Sequence, residues 1–225
     1  MSFLILYFFL LIIHLTPILV IILLIRFYIK LPKLKRDISS GKYEENRIVQ
    51  ILLSIKSPEE KVLQNLYIPK NNNETTEIDI IYISLTGIYC IEAKDYAAWI
   101  YGTRDQTHWT AVYSNGKKVK LLNPIIQNKS HIKHLKNILP NVPIRNMVVF
   151  SDRGTLKNIT LDENLTQNHH FEDLMKWHRG GEIVLSPEQI ETIYNILEPY
   201  TQVSEEIKQK HIQNIRKNNL DISNR

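Results

Sequence analysis

The chain has 225 residues, 44% of them hydrophobic and 23% charged, with a net charge of +5. That is the make-up of an ordinary folded protein with room for one domain, and it excludes a disordered or low-complexity chain. A single cysteine, Cys90, excludes an intrachain disulfide and a Cys-rich zinc ribbon, and its apolar surroundings make it a small core residue.

From Phe3 to Ile25 the chain is apolar and uncharged, broken only by His14, Thr16 and Pro17. About 20 apolar residues cross a bilayer, so a transmembrane anchor over residues 1–26 is expected, with Pro17 kinking it. A cleaved signal peptide fits less well, because no basic residue precedes the run and no small-x-small site follows it. Arg26, Lys30, Lys33, Lys35 and Arg36 come next, whereas the tail before the run has no Lys or Arg. The positive-inside rule then puts everything after Arg26 in the cytoplasm. This basic linker, residues 27–40, is also placed to touch anionic lipid headgroups.

Gly41 to Ile55 reads as a helix, with Ile48, Val49, Leu52 and Ile55 at helical spacing. Glu45 falls on that apolar stripe, an odd place for a carboxylate, although Glu44 and Glu45 also suit a helix first turn. Val62 to Ile68 reads as a first strand. Ile78–Ile83 and Ile88–Ile91 then form a hairpin around Ser84-Leu85-Thr86-Gly87, where Gly87 is free to take positive φ. Pairing Ile83 with Ile88 sets Asp79 opposite Glu92 on one face with Ile81, Ile83, Ile88, Cys90 and Lys94. Ile78, Ile80, Tyr82, Tyr89 and Ile91 take the other face, so both faces are apolar, as in a central strand covered by helices on each side. Two opposed carboxylates repel each other, and either Lys94 or a divalent cation is expected to offset them. A plain surface Asp with a Glu-Lys ion pair is the alternative.

Trp99–Tyr101 and His108–Tyr113 are the next strands, with a turn at Ser114-Asn115-Gly116-Lys117. Tyr96, Trp99, Tyr101, Trp109 and Tyr113 cluster here; packing against a helix is expected of them ahead of stacking on nucleobases. After Asn123-Pro124 a helix runs to about Leu139 with Asn128, Ile132, Leu135 and Leu139 on one stripe. Gln127, His131 and His134 lie beside it, and the histidines are expected to be solvated. Met147–Phe150 is a buried strand, Ile183–Leu185 a last one, and Ser186-Pro187-Glu188-Gln189 a capping-box helix start. From Ser204 the chain is charged, with a frayed helix expected to Arg216 and disorder beyond.

An Asp on one strand followed by Glu-x-Lys at the end of the next resembles the PD-(D/E)xK nucleases. With Asn123-Pro124-Ile125-Ile126-Gln127-Asn128, the stretch is similar to the nuclease-related domain family, NERD. The resemblance implies an α/β fold with a mixed central β-sheet flanked by helices, which the apolar run precedes with one transmembrane helix. Together with the hydropathy and charge patterning, it divides the chain into an anchor at 1–26, a linker at 27–40, a nuclease-like domain at 41–155, a packed extension at 156–203 and a charged tail at 204–225. It implies Mg²⁺ or Mn²⁺ on Asp79 and Glu92, with Glu45 as a further carboxylate matching the family's helix glutamate, although Glu44 stands where the family has Gly. Lys94 would stabilise the transition state and Gln127 would steady water or a phosphate oxygen. The implied substrate is nucleic acid, with DNA expected. No Walker A motif, nucleophile elbow or dinucleotide-binding glycine pattern is present. A nuclease-fold binding module at the membrane is the rival reading, and a lipid-contacting protein acting through its basic linker a third.

Overall fold

The computed structural model describes Thr16, Val20, Ile21 and residues 41–70, 74–162 and 164–223. The membrane span expected over Phe3–Ile25 and the basic residues to Arg36 lie outside these apart from Thr16, Val20 and Ile21. Among the described residues no helix is long and apolar enough to cross a membrane. The chain divides into a unit of residues 1–43 and a larger unit of residues 44–225.

The larger unit is built on two mixed sheets flanked by helices. In the first, β1 (Lys61–Pro69), β2 (Thr75–Ser84) and β3 (Gly87–Lys94) form an antiparallel meander, and β7 (Ile144–Phe150) and β9 (Leu165–Gln167) add in parallel beside β3. The second sheet has the order β6 (Lys118–Leu122), β5 (His108–Val112), β4 (Trp99–Tyr101), β8 (Thr155–Lys157). The expected hairpin register holds: Ile83 pairs with Ile88, and Gly87 closes the turn at φ 126°.

Both faces of the first sheet are buried, as parallel neighbours require. On one, Ile81, Ile83, Ile88 and Cys90 pack with Ile132 and Leu135 of α2 (Pro124–Leu135) and Ile190, Ile193 and Leu197 of α4 (Pro187–Leu197). On the other, Ile80, Tyr82, Tyr89 and Ile91 pack with Ile48, Val49 and Leu52 of α1 (Lys42–Ile55) and Phe171 and Met175 of α3 (Asn168–Arg179). Ile78 departs from the expected alternation and joins the Ile81 core. Opposite Asp79, Asn65 adopts a left-handed φ of 53°, and the β1–β2 ladder skips that pair. Alternation resets there, so Leu63 and Leu66 likewise share one core.

Several other expectations change. Val184 and Leu185 do not form a strand; their amides donate to the Leu85 carbonyl from an irregular segment. The parallel edge is supplied instead by β9, leading straight into α3, and β6 completes the second sheet. The last helix, α5, runs from Glu205 to Ser223 instead of stopping at Arg216. It is held by His211, which is 7% exposed, bonds Thr75 and meets the Tyr67 ring edge-on. The capping box at Ser186 and Gln189 forms as the sequence indicates.

Candidate active site

The site grows from the point where β2 and β3 part. Their ladder ends at the pair Ile80–Ile91, and one residue further Asp79 Oδ2 accepts the Ala93 amide at 2.8 Å. Asp79 thus stands beside the end of β3 instead of pairing regularly across from Glu92. Beyond the fork β3 stays bonded to β7 as far as Lys94–Phe150, which keeps Glu92 and Lys94 on a rigid strand.

Helix α2 brings Gln127 to the same place. Asn123, fully buried, caps the helix by accepting from the Ile125 amide, and its Nδ2 donates to the carbonyls of Arg104 and Gln106 at 3.0 and 2.8 Å. Pro124 follows at the first helical turn, where its missing N–H costs nothing. One turn on, Asn128 Nδ2 donates to Cys90 O, Asn146 Oδ1 and Met147 O, locking α2 across β3 and β7. With both flanking asparagines fixed, Gln127 has one direction to face.

Four of the five expected side chains are brought together. Glu92 is 2% exposed, and its Oε1 accepts from Lys94 Nζ at 2.5 Å and from Gln127 Nε2 at 2.6 Å. Lys94 Nζ also donates to Gln127 Oε1 at 3.2 Å, closing a triangle. Glu92 Oε2 lies 3.2 Å from His131 Nε2, an ion-pair contact when the imidazole is protonated, and has no hydrogen bond. Asp79, Gln127 and His131 line a cleft of about 460 Å³.

The charges in this corner are strongly linked. Burial, and next the neighbouring Glu92, push Asp79 well above the usual carboxylate range. Burial pushes Glu92 up as well, but Lys94 and His131 outweigh it and hold its carboxyl below the ordinary value. Against the cost of burial, Glu92 and Asp79 hold the Lys94 ammonium up at about 12. Glu92 is therefore the fixed negative charge of this corner, and Asp79 the carboxyl that holds its proton more tightly.

Glu45 is not among the groups bonded to Glu92. It is half-buried in the first turn of α1, and its charge is a minor influence raising the Asp79 pKa. The buried carboxyl in that turn is Glu44, 2% exposed and bonded by Asn168 Nδ2 at 2.5 Å. The reason is that Glu44, four residues before Ile48, faces the core that α1 shares with α3.

His131, expected to be solvated, is 8% exposed and shares a 2.6 Å hydrogen bond with Thr76 through Nδ1. Its sequence signal was available: it follows Gln127 by four residues and so lies on the same side of α2. His134 one turn away is half-exposed, and burial and then Lys70 lower its pKa.

Residues 40–151 match the family model of the nuclease-related domain, NERD. An uncharacterized protein of Bacillus anthracis is 28% identical over 174 residues, which make up 76% of this chain and 82% of that relative. No solved structure matches the chain. The chain thus carries a NERD, or nuclease-related, domain over residues 40–151, and Asp79, Glu92, Lys94 and Gln127 all lie inside it.

Proposed function

We propose that this protein is a metal-dependent nuclease that hydrolyses phosphodiester bonds at the cleft beside Asp79. The observation that carries the reading is the Glu92–Lys94–Gln127 triangle next to a half-buried Asp79 whose carboxyl is held well above its ordinary range. Its donor chemistry suits a hard cation. Glu92 Oε2 is buried without a hydrogen bond, and Asp79 uses only Oδ2 on the Ala93 amide. Two carboxylates are what Mg²⁺ asks of a protein, since it keeps most of its coordination for water and phosphate. Mg²⁺ or Mn²⁺ held by Asp79 and Glu92 would activate a water and polarise the scissile phosphate.

The chain's own groups do the rest. Lys94, ionised at any ordinary pH, would neutralise charge building on the phosphate. Gln127 keeps the Lys94 ammonium and the Glu92 carboxylate in fixed relation and turns its amide toward the cleft. His131, braced by Thr76, stands 3.2 Å from the far oxygen of Glu92 and, when protonated, adds positive charge beside it. Glu45 adds negative potential at Asp79, strengthening its demand for a cation.

A binding module is the second reading. Among the described residues no three His, Cys, Asp or Glu side chains converge to ligate one ion, and Lys94 and Gln127 already occupy Glu92 Oε1. We also propose that Phe3–Ile25 tethers the domain to the membrane, supported by its apolar length and by the basic cluster from Arg26 to Arg36. The deciding assay is cleavage of labelled single- and double-stranded DNA and RNA by the full-length protein with Mg²⁺ or Mn²⁺. Activity lost in Asp79→Asn and reduced about 10²–10³-fold in Lys94→Met supports the nuclease. Absence of cleavage together with no metal-induced rise in thermal stability leaves the binding module.

A further inference from the structure

The second sheet has one covered face and one open face. Inward, Ile100, Trp109 and Ala111 pack with Val148, Phe150 and Leu165 of the first sheet, Trp109 stacking on Phe150. Outward, Trp99 is 54% and Tyr101 37% exposed. The expectation that the aromatics here are all packing residues therefore fails for these two, because alternation along β4 turns only Ile100 to the core.

Strand register decides what surrounds them. Trp99 pairs with Val112 and Thr155, and Val112 with Lys118; Tyr101 pairs with Thr110 and Lys157, and Thr110 with Lys120. Two cross-strand rows result, Lys118–Val112–Trp99–Thr155 and Lys120–Thr110–Tyr101–Lys157. Each row has a ring and at least one lysine, and neither contains a carboxylate. Lys157 Nζ lies 5.3 Å from the Trp99 ring centroid, so positive charge sits beside the exposed indole. Trp99, Val112, Tyr113 and Thr155 also line a concavity of about 410 Å³. At the far edge of this sheet, exposed Leu122 lines the cleft that holds Asp79, Gln127 and His131. Leu122 thus belongs both to the open face and to the rim of the candidate active site.

We infer that the outer face of the β6–β5–β4–β8 sheet is a binding track for single-stranded nucleic acid that leads its backbone toward the Asp79 cleft. Trp99 and Tyr101 stand two residues apart on one face, about 7 Å along the strand, and each offers a ring to an unstacked base. Lys118, Lys120 and Lys157 flank the rings at the positions a phosphate backbone needs. A duplex keeps its bases stacked on one another and has no base face to offer the rings, so the surface selects single strands. The inference rests on the nuclease reading only for what happens at the cleft; the binding itself does not require turnover.

The test is fluorescence anisotropy with the full-length protein in detergent and EDTA, using labelled oligo-dT, oligo-U and a mixed-sequence duplex. Wild type is expected to bind both single strands more tightly than the duplex. Trp99→Ala with Tyr101→Ala should weaken single-strand binding about tenfold or more. Replacing Lys118, Lys120 and Lys157 by Gln should lower the slope of log affinity against log salt by about 2. Trp99, Tyr101, Lys118 and Lys120 are exposed and Lys157 is half-buried, and none belongs to a hydrophobic core, so thermal melts should match wild type. Unchanged single-strand affinity in the aromatic pair, or preference for the duplex, overturns the track. So does binding to anionic phosphatidylserine vesicles that depends on these residues while oligonucleotide binding does not. The two readings fail separately: aromatic-dependent binding without cleavage on any substrate removes the nuclease and keeps the track, and cleavage with aromatic-independent binding does the reverse.

Discussion

Glu44 gives the sharpest quantitative prediction. Its carboxyl is 2% exposed, and burial raises its pKa from an ordinary 4.5 to about 7, with Arg47 pulling the other way. Asn168 Nδ2 donates to Glu44 Oε1, while Asn168 Oδ1 is buried with no partner. A protonated Glu44 can donate to that orphaned oxygen; an ionised one cannot. Because the folded pKa lies above the unfolded one, the folded state holds the proton more tightly. Its stability is then fully present below about pH 4.5 and declines as pH rises to about 7. Between pH 5 and 8 the loss works out at about 2–3 kcal/mol, or roughly 4–12 °C in melting temperature for a domain of this size. Glu44→Gln removes the titrating group and supplies an amide that pairs with both ends of Asn168. Thermal melts followed by tryptophan fluorescence should show the variant overtaking wild type progressively from pH 5 to pH 8. Parallel pH profiles for the two proteins, or a variant less stable than wild type at pH 8, would refute the assignment.

Other perturbations test the site and its supports. Asp79 is also raised, so without metal its ionisation costs stability as pH rises; Asp79→Asn should melt higher than wild type in EDTA and lose any stabilisation by Mg²⁺ or Mn²⁺. Lys94→Met leaves Glu92 buried and without its main cation, a loss of about 3–5 kcal/mol that His131 reduces, measurable by melting. On the opposite side of the fold, Glu60 Oε2 accepts from Ser57 N, Tyr82 Oη and Arg179 Nε while the residue is 1% exposed. Arg179→Ala, which also frees the Ile55 carbonyl, should cost about 1–3 kcal/mol, and no change in chemical denaturation would contradict the role of this contact.

The sequence by itself determined what depends on local order. The hairpin register follows from β-branched runs around Gly87, and it was enough to bring Asp79, Glu92 and Lys94 to one end of a two-faced central strand. Asn123-Pro124 announces a helix start with its cap and its first-turn proline, and Gln127 follows from it at fixed pitch. Tertiary structure decided the rest, because those outcomes depend on partners far along the chain. Glu44 instead of Glu45 is the buried acid of α1 because Asn168, 124 residues away, meets it on the core side. His131 enters the site because α2 is locked over β3 and β7 by Asn128, which presses it against Thr76 and Glu92. Asp79 leaves the regular ladder because Asn65 turns left-handed across from it, and no pattern around Asp79 itself announces that. Trp99 and Trp109 carry the same side chain on neighbouring strands. Only the packing of one sheet against the other chose which indole is buried and which faces solvent.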